Sequence, residues 1–169
     1  ADRSLSVTYK VTDPKGLPLD RDGVFTPGAI SVSFILAYIP AGQNQYVAYT
    51  TREVTSPITK VKAVQAGTDS GGTTVKVADG TYKYTFKTKL PEGYDANATH
   101  SIGIYATRDL REYGLDRDRA NEVINFVPSG GQIQKIRDVV TTEACNKCHD
   151  PLALHGGSRR LVELCILCH

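Results

Sequence analysis

Tyr82-Lys83-Tyr84-Thr85-Phe86-Lys87 alternates aromatic and polar side chains over six residues, directly after the turn pair Asp79-Gly80. Successive side chains of an extended chain point to opposite sides, so this pattern describes a strand with one buried and one solvated face. The same period of two recurs on either side. Leu5, Val7, Tyr9 and Val11 alternate with Ser6, Thr8 and Lys10 and stop at Asp13-Pro14-Lys15-Gly16, while Ile30, Val32, Phe34, Leu36 and Tyr38 stop at Pro40-Ala41-Gly42. Tyr46 to Thr50 reads as the returning arm of a hairpin. Ile102, Ile104 and Ala106 line up with His100, and Val123, Ile124, Phe126 and Val127 form a last strand before Pro128-Ser129-Gly130-Gly131. Several short strands separated by turns predict a mainly β fold, an immunoglobulin-like sandwich or a barrel, over residues 1–130. Val64 to Thr74, rich in Gly, Thr and Ser, reads as a loop, and the charged run Arg108 to Arg119 as a long hairpin loop. Within it Asp116-Arg117-Asp118-Arg119 reads as a solvated turn rather than a cation site.

The chain has 169 residues, 40% of them hydrophobic, and a formal net charge of +2. That is enough apolar material for a core, and it excludes a disordered chain as well as the basic surface that nucleic-acid binding needs. No stretch reaches the roughly 20 apolar residues that cross a bilayer as a helix. There is no methionine. The first residue is therefore expected to follow a processing step, and removal of a secretory signal gives an exported protein.

After Gly131 the pattern changes. Residues 131–169 have too few apolar side chains for a core of their own, which predicts a tail with short helices and little other regular structure, held together by something other than packing. All four cysteines lie here, in Cys145-Asn146-Lys147-Cys148-His149 and Cys165-Ile166-Leu167-Cys168-His169. A Cys-x-x-Cys-His pentapeptide places two thiols to add to the two vinyl groups of one porphyrin and an imidazole beneath its iron, which is the pattern of c-type haem attachment. Two motifs imply two haem c groups. The sixteen residues between the pairs also suit a four-thiolate zinc ribbon, but such a site has no use for the histidine that follows each second cysteine. A dithiol redox site of the thioredoxin kind would need a βαβ setting that is absent.

Without methionine, His/Met ligation of the iron is impossible within this chain. Beyond His149 and His169 the histidines are His100 and His155. They complete two bis-histidine centres, with His155 expected opposite His169 and His100 expected to cap the first haem, tying the β region to the tail. A strand histidine such as His100 is, taken alone, more often a satisfied core residue. Asp150-Pro151-Leu152-Ala153-Leu154-His155 reads as a short helical turn with Asp150 as its N-cap. Arg159 and Arg160 are candidate partners of haem propionates, because a guanidinium matches carboxylate geometry; solubility is their plainer role.

The run Ala144-Cys145-Asn146-Lys147-Cys148-His149-Asp150-Pro151-Leu152-Ala153-Leu154-His155-Gly156-Gly157-Ser158-Arg159-Arg160, followed by Cys165-Ile166-Leu167-Cys168-His169, resembles the first haem pair of the OmcA/MtrC outer-surface multihaem cytochromes. Thr99-His100-Ser101-Ile102-Gly103, Asn125-Phe126-Val127-Pro128 and Val11-Thr12-Asp13-Pro14-Lys15-Gly16 extend the resemblance upstream. It implies a β domain ahead of bis-histidine haems at or beyond the outer membrane, with the periplasm as the alternative. There they would pass electrons to metal oxides, electrodes, shuttles or other multihaem cytochromes. Family members carry about ten haems, so further haems of the same polypeptide are expected partners, and an oligomer or filament fits an open sheet edge. A non-enzymatic electron carrier leads. A haem reductase with an open iron site and a zinc-stabilised binding module are the alternatives.

Overall fold

The computed structural model describes residues 2–169. Nine strands and two single-turn helices follow in order: β1 (Ser6–Lys10), β2 (Ile30–Tyr38), β3 (Val47–Ala48), β4 (Thr51–Thr55), β5 (Lys62–Ala66), β6 (Thr73–Ala78), β7 (Thr81–Thr85), β8 (His100–Asp109), β9 (Arg117–Phe126), α1 (Thr142–Cys145) and α2 (Val162–Cys165). One antiparallel sheet has the order β1-β7-β6, a second β3-β2-β8-β9, and β4 and β5 form a separate ribbon. The two larger sheets face each other and none closes into a barrel.

The alternation read from the sequence decides which side chains meet. Val7, Tyr9, Tyr82 and Tyr84 turn inward from one sheet, and Phe34, Leu36, Ile102 and Ile104 from the other, with Phe86 and Leu90 at the margin. Phe34 stacks on Tyr84 with ring centres 4.1 Å apart and meets Tyr9 edge-on at 5.4 Å. Burying each of these side chains contributes about 1.5–3 kcal/mol. Asp69 fastens one end of this core. Its carboxylate accepts from the Tyr84 hydroxyl at 2.7 Å, from the Thr88 hydroxyl at 2.6 Å and from the backbone amides of Lys87 and Thr88.

The second sheet is buried on both faces at its centre, which a simple period of two did not foresee. Ile35 and Ala37, on the outer face of β2, are covered by Leu164 and Leu167 of the tail. The close approach is possible because β8 carries Gly103 beneath them: a Cβ there would lie 2.5 Å from one Leu164 methyl and 2.6 Å from one Leu167 methyl. The tail is fastened to β9 as well. Asn121 donates its side-chain amide to the Ser158 carbonyl at 2.9 Å and accepts from the Arg160 amide at 2.6 Å.

Three local expectations are corrected. Val64 to Thr74 is not one loop, since its ends belong to β5 and β6 and only residues 67–72 connect them. Arg108 to Arg119 is a hairpin connection only over residues 110–116, its two ends being paired strand of β8 and β9; the connection is drawn together by Asp109, which binds Arg111 at 2.6 Å and Arg117 at 3.2 Å. The stretch from Asp150 to His155 is not helical. It is a series of turns closed by an antiparallel bridge between Leu154 and Arg159, with His155, Gly156 and Gly157 all at positive φ. Three consecutive residues of that kind cannot continue a right-handed helix.

Gly103→Ala is expected to destabilise the chain by about 1–3 kcal/mol, the usual cost of overpacking. Chemical denaturation followed by tyrosine fluorescence measures it. An unchanged midpoint would mean that the tail does not rest on β8.

Candidate functional site: a thiol and imidazole cavity

The two Cys-x-x-Cys-His motifs fold alike. In each, the amides of the second cysteine and of the histidine bond to the carbonyl of the first cysteine: Cys148 and His149 to Cys145 at 3.1 and 3.0 Å, Cys168 and His169 to Cys165 at 3.1 and 3.2 Å. Upstream, Asn146 bonds to Thr142 at 2.9 Å just as Ile166 bonds to Val162 at 3.0 Å. Residues 141–149 and 161–169 are thus the same turn repeated after twenty positions. Thr142 joins the copies, its hydroxyl accepting from the Val162 amide and donating to the Glu163 carboxylate, both at 2.9 Å. All four thiols are free, and among the described residues no three His, Cys, Asp or Glu side chains converge on one point, as a zinc centre would require.

The second motif opens on a cavity of about 540 Å³ lined by Cys165, Cys168, His169, His155, Arg159 and Tyr105, with the ends of β4 and β5 as a further wall. The volume falls within the usual range for a cofactor site. The His155 and His169 rings stand 6.2 Å apart, centre to centre, and are inclined by 34°. Two metal–nitrogen bonds of roughly 2 Å, plus about 1 Å from each nitrogen to its ring centre, come to about 6 Å. The pair is therefore spaced as two imidazoles on opposite sides of one metal atom would be. Burial pushes the Cys165 and Cys168 thiols above their ordinary pKa, while Arg159 acts in the opposite sense. The Arg159 guanidinium lies over the Tyr105 ring, 3.4 Å from its centre, and donates to the Ser158 hydroxyl at 2.6 Å.

Arg160 does not join this group. Its guanidinium donates to the Gly157 carbonyl at 3.2 Å and lines a different cavity with Arg117 and Arg119. In the first motif Cys148 and His149 are exposed and Cys145 is half-buried; in the second both cysteines are half-buried and His169 is exposed.

His100 is a correction. It lies on β8 in the same parity as Ile102 and Ile104, so it faces the interior between the sheets, whereas the tail covers the opposite face at Gly103. It is fully buried among Tyr38, Tyr49, Tyr94 and Phe126, with ring centres 5.6 to 6.0 Å away. Nδ1 lies 2.9 Å from the Ala98 carbonyl, and a carbonyl can only accept, so Nδ1 carries the proton. Nε2 then accepts from the Tyr49 hydroxyl at 3.0 Å. Both ring nitrogens are occupied within the β region, which overturns the expectation that His100 caps an iron in the tail. Arg52 and Tyr105, which the sequence reading missed, reach the cavity from strands far away in the chain; no motif marks either.

Comparison with known proteins fits this arrangement. No family model matches the chain. The multiheme cytochrome MtrC of Shewanella baltica (strain OS185) is 31% identical over 105 residues, covering 58% of this chain and 16% of that protein. The crystal structure of MtrC from Shewanella baltica OS185 covers the whole chain with a TM-score of 0.67 at 24% identity, and the chain spans 28% of it.

Burial holds the His100 pKa below its ordinary value of 6.5. The unfolded chain binds a proton that the native imidazole refuses, so the stability from this group is present above that value and lost as the pH falls below it. The unfolding midpoint is expected to fall between about pH 7 and pH 5.5. His100→Phe removes that slope, and persistence of the slope in the variant would assign it to another group.

The chain, about a sixth of the length of the curated relative it matches, is similar in sequence and in fold to an MtrC-type multihaem cytochrome domain.

Proposed function

We propose that the chain transfers electrons through two covalently attached haem c groups, one on Cys145 and Cys148 with His149 as axial ligand, the other on Cys165 and Cys168 between His169 and His155. Residues 1–130 act as the platform and residues 131–169 as the haem-carrying segment. The observation that carries this reading is the 6.2 Å separation of His155 and His169 at a cavity that also holds both thiols of the second motif. The donor set suits the group: two thiols for thioether links, two imidazoles for the iron and the Arg159 guanidinium for a propionate.

A bound haem would supply a one-electron couple. The protein's own residues hold it in place, exclude water from one side and fix the imidazole planes. Leu164 and Leu167 seat the second motif on the sheet, and the Leu154–Arg159 bridge presents His155 to it. The likeness to a multihaem cytochrome supports the wider setting: an exported electron carrier, at the outer surface or in the periplasm, exchanging electrons with further haems, other cytochromes or extracellular acceptors.

One observation bears on the alternative of an open iron. With His155 facing His169 and His100 held inside the β region, no described imidazole stands opposite His149. Mass spectrometry of the haem-loaded chain is expected to show two covalent haems, and the Cys165→Ala, Cys168→Ala double variant one. The reduced wild-type chain is expected to bind one carbon monoxide, the His155→Ala variant two, and the His100→Phe variant one. Two in the wild type would remove the His155–His169 pair, and absence of covalent haem would end the electron-transfer reading.

A further inference from the structure

The β4–β5 ribbon has no evident purpose in the β fold. It pairs only with itself, and neither buried cluster draws a residue from it. Val64 and, at the turn end, Ile58 and Val61 leave most of their surface exposed. Yet the start of β4 and the end of β5 form one wall of the cavity that holds Cys165, Cys168, His155 and His169.

Arg52 and Gln65 are direct cross-strand partners on this ribbon, so their side chains share a face, and both line the cavity. The Arg52 stem rests on Gly67, its Cγ 3.4 Å from where a Cβ would be. The ribbon's own ion pair is made by the neighbouring residue Glu53, with Lys62 at 2.8 Å. Among the described residues Arg52 has no carboxylate within ion-pair distance. Its guanidinium is thus a charge-bearing fork on one wall of a cavity whose other wall carries Arg159, already positioned by Tyr105. A ligand there would meet two cations, apolar surface from Ile35 and two thiols. The two propionates of a haem leave one edge of the porphyrin, and the two guanidinium groups offer one cation for each.

We infer that Arg52 is a second propionate-binding residue of the haem on Cys165 and Cys168, and that the β4–β5 ribbon is the wall through which the β region adjusts that haem's potential. The inference rests on the haem reading above. A cation beside a propionate stabilises the reduced, more negative form of the centre and keeps the propionate ionised. Neutralising it therefore lowers the potential and makes it vary with pH as the propionate takes up its proton.

The test is a spectroelectrochemical titration of the haem-loaded chain, comparing wild type with Arg52→Gln and Arg52→Lys at several pH values. In Arg52→Gln one of the two haems is expected to shift to lower potential and to gain pH dependence near neutrality, the other staying in place. Arg52→Lys is expected to restore most of the wild-type value, which a purely structural role of the arginine would not require. Covalently loaded protein in which neither potential moves in Arg52→Gln overturns the inference and leaves the haem reading intact. Protein that carries no covalent haem overturns both.

Discussion

The contact between Leu164 and Leu167 of the tail and the outer face of β2 and β8 governs the rest of the structure. The tail cannot build a core of its own. It borrows one side of a sheet whose other side is already committed to the interior, and the loan is possible only because Gly103 leaves room for two leucine side chains. Once α2 is seated there, Cys165, Cys168 and His169 have a fixed orientation relative to the strands, and the turn bearing His155 is held by its bonds to β9. The first motif enjoys no such seat. It is tied to the second chiefly through Thr142 and lies at the surface.

Strand parity explains the contrasting fates of the two spare histidines. On β8, even-numbered residues from 100 to 104 face the sandwiched interior and odd-numbered ones face the tail. Position 103 meets the tail, whereas the histidine at 100 meets four aromatic rings, one of them the phenol that donates to it, and a carbonyl. The ligand count that paired His100 with an iron outweighed the plainer reading of a strand histidine as a core residue, and the pleat of the sheet favours that plainer reading.

Most of the β architecture was legible, because alternation is a direct record of which face is buried: Val7, Tyr9, Tyr82 and Tyr84 point inward as their spacing requires. The doubly buried centre of β2 was not, since Ile35 and Ala37 look like ordinary outer-face residues until a distant segment covers them. The helical reading of residues 150–155 failed because Asp-Pro is as good an opening for a turn as for a helix, and the positive φ of His155 is set by the Leu154–Arg159 bridge beyond it. Of the site, the two motifs stand out in the sequence; His155 was expected opposite His169 on the strength of a helical turn that the chain does not form, so the nearness of the two rings does not follow from that reasoning. Arg52 could not, because nothing local distinguishes it from any other charged residue on a ribbon.

The hydroxyl of Thr142, shared between the two copies of the turn, has a further consequence in the electron-transfer reading. Tunnelling between redox centres weakens exponentially with their separation, so a flexible joint would let the rate wander with every thermal excursion. A single side chain that both donates to one copy and accepts from it ties the two turns at two points, and on that reading it would limit how far the gap between two carried centres could vary.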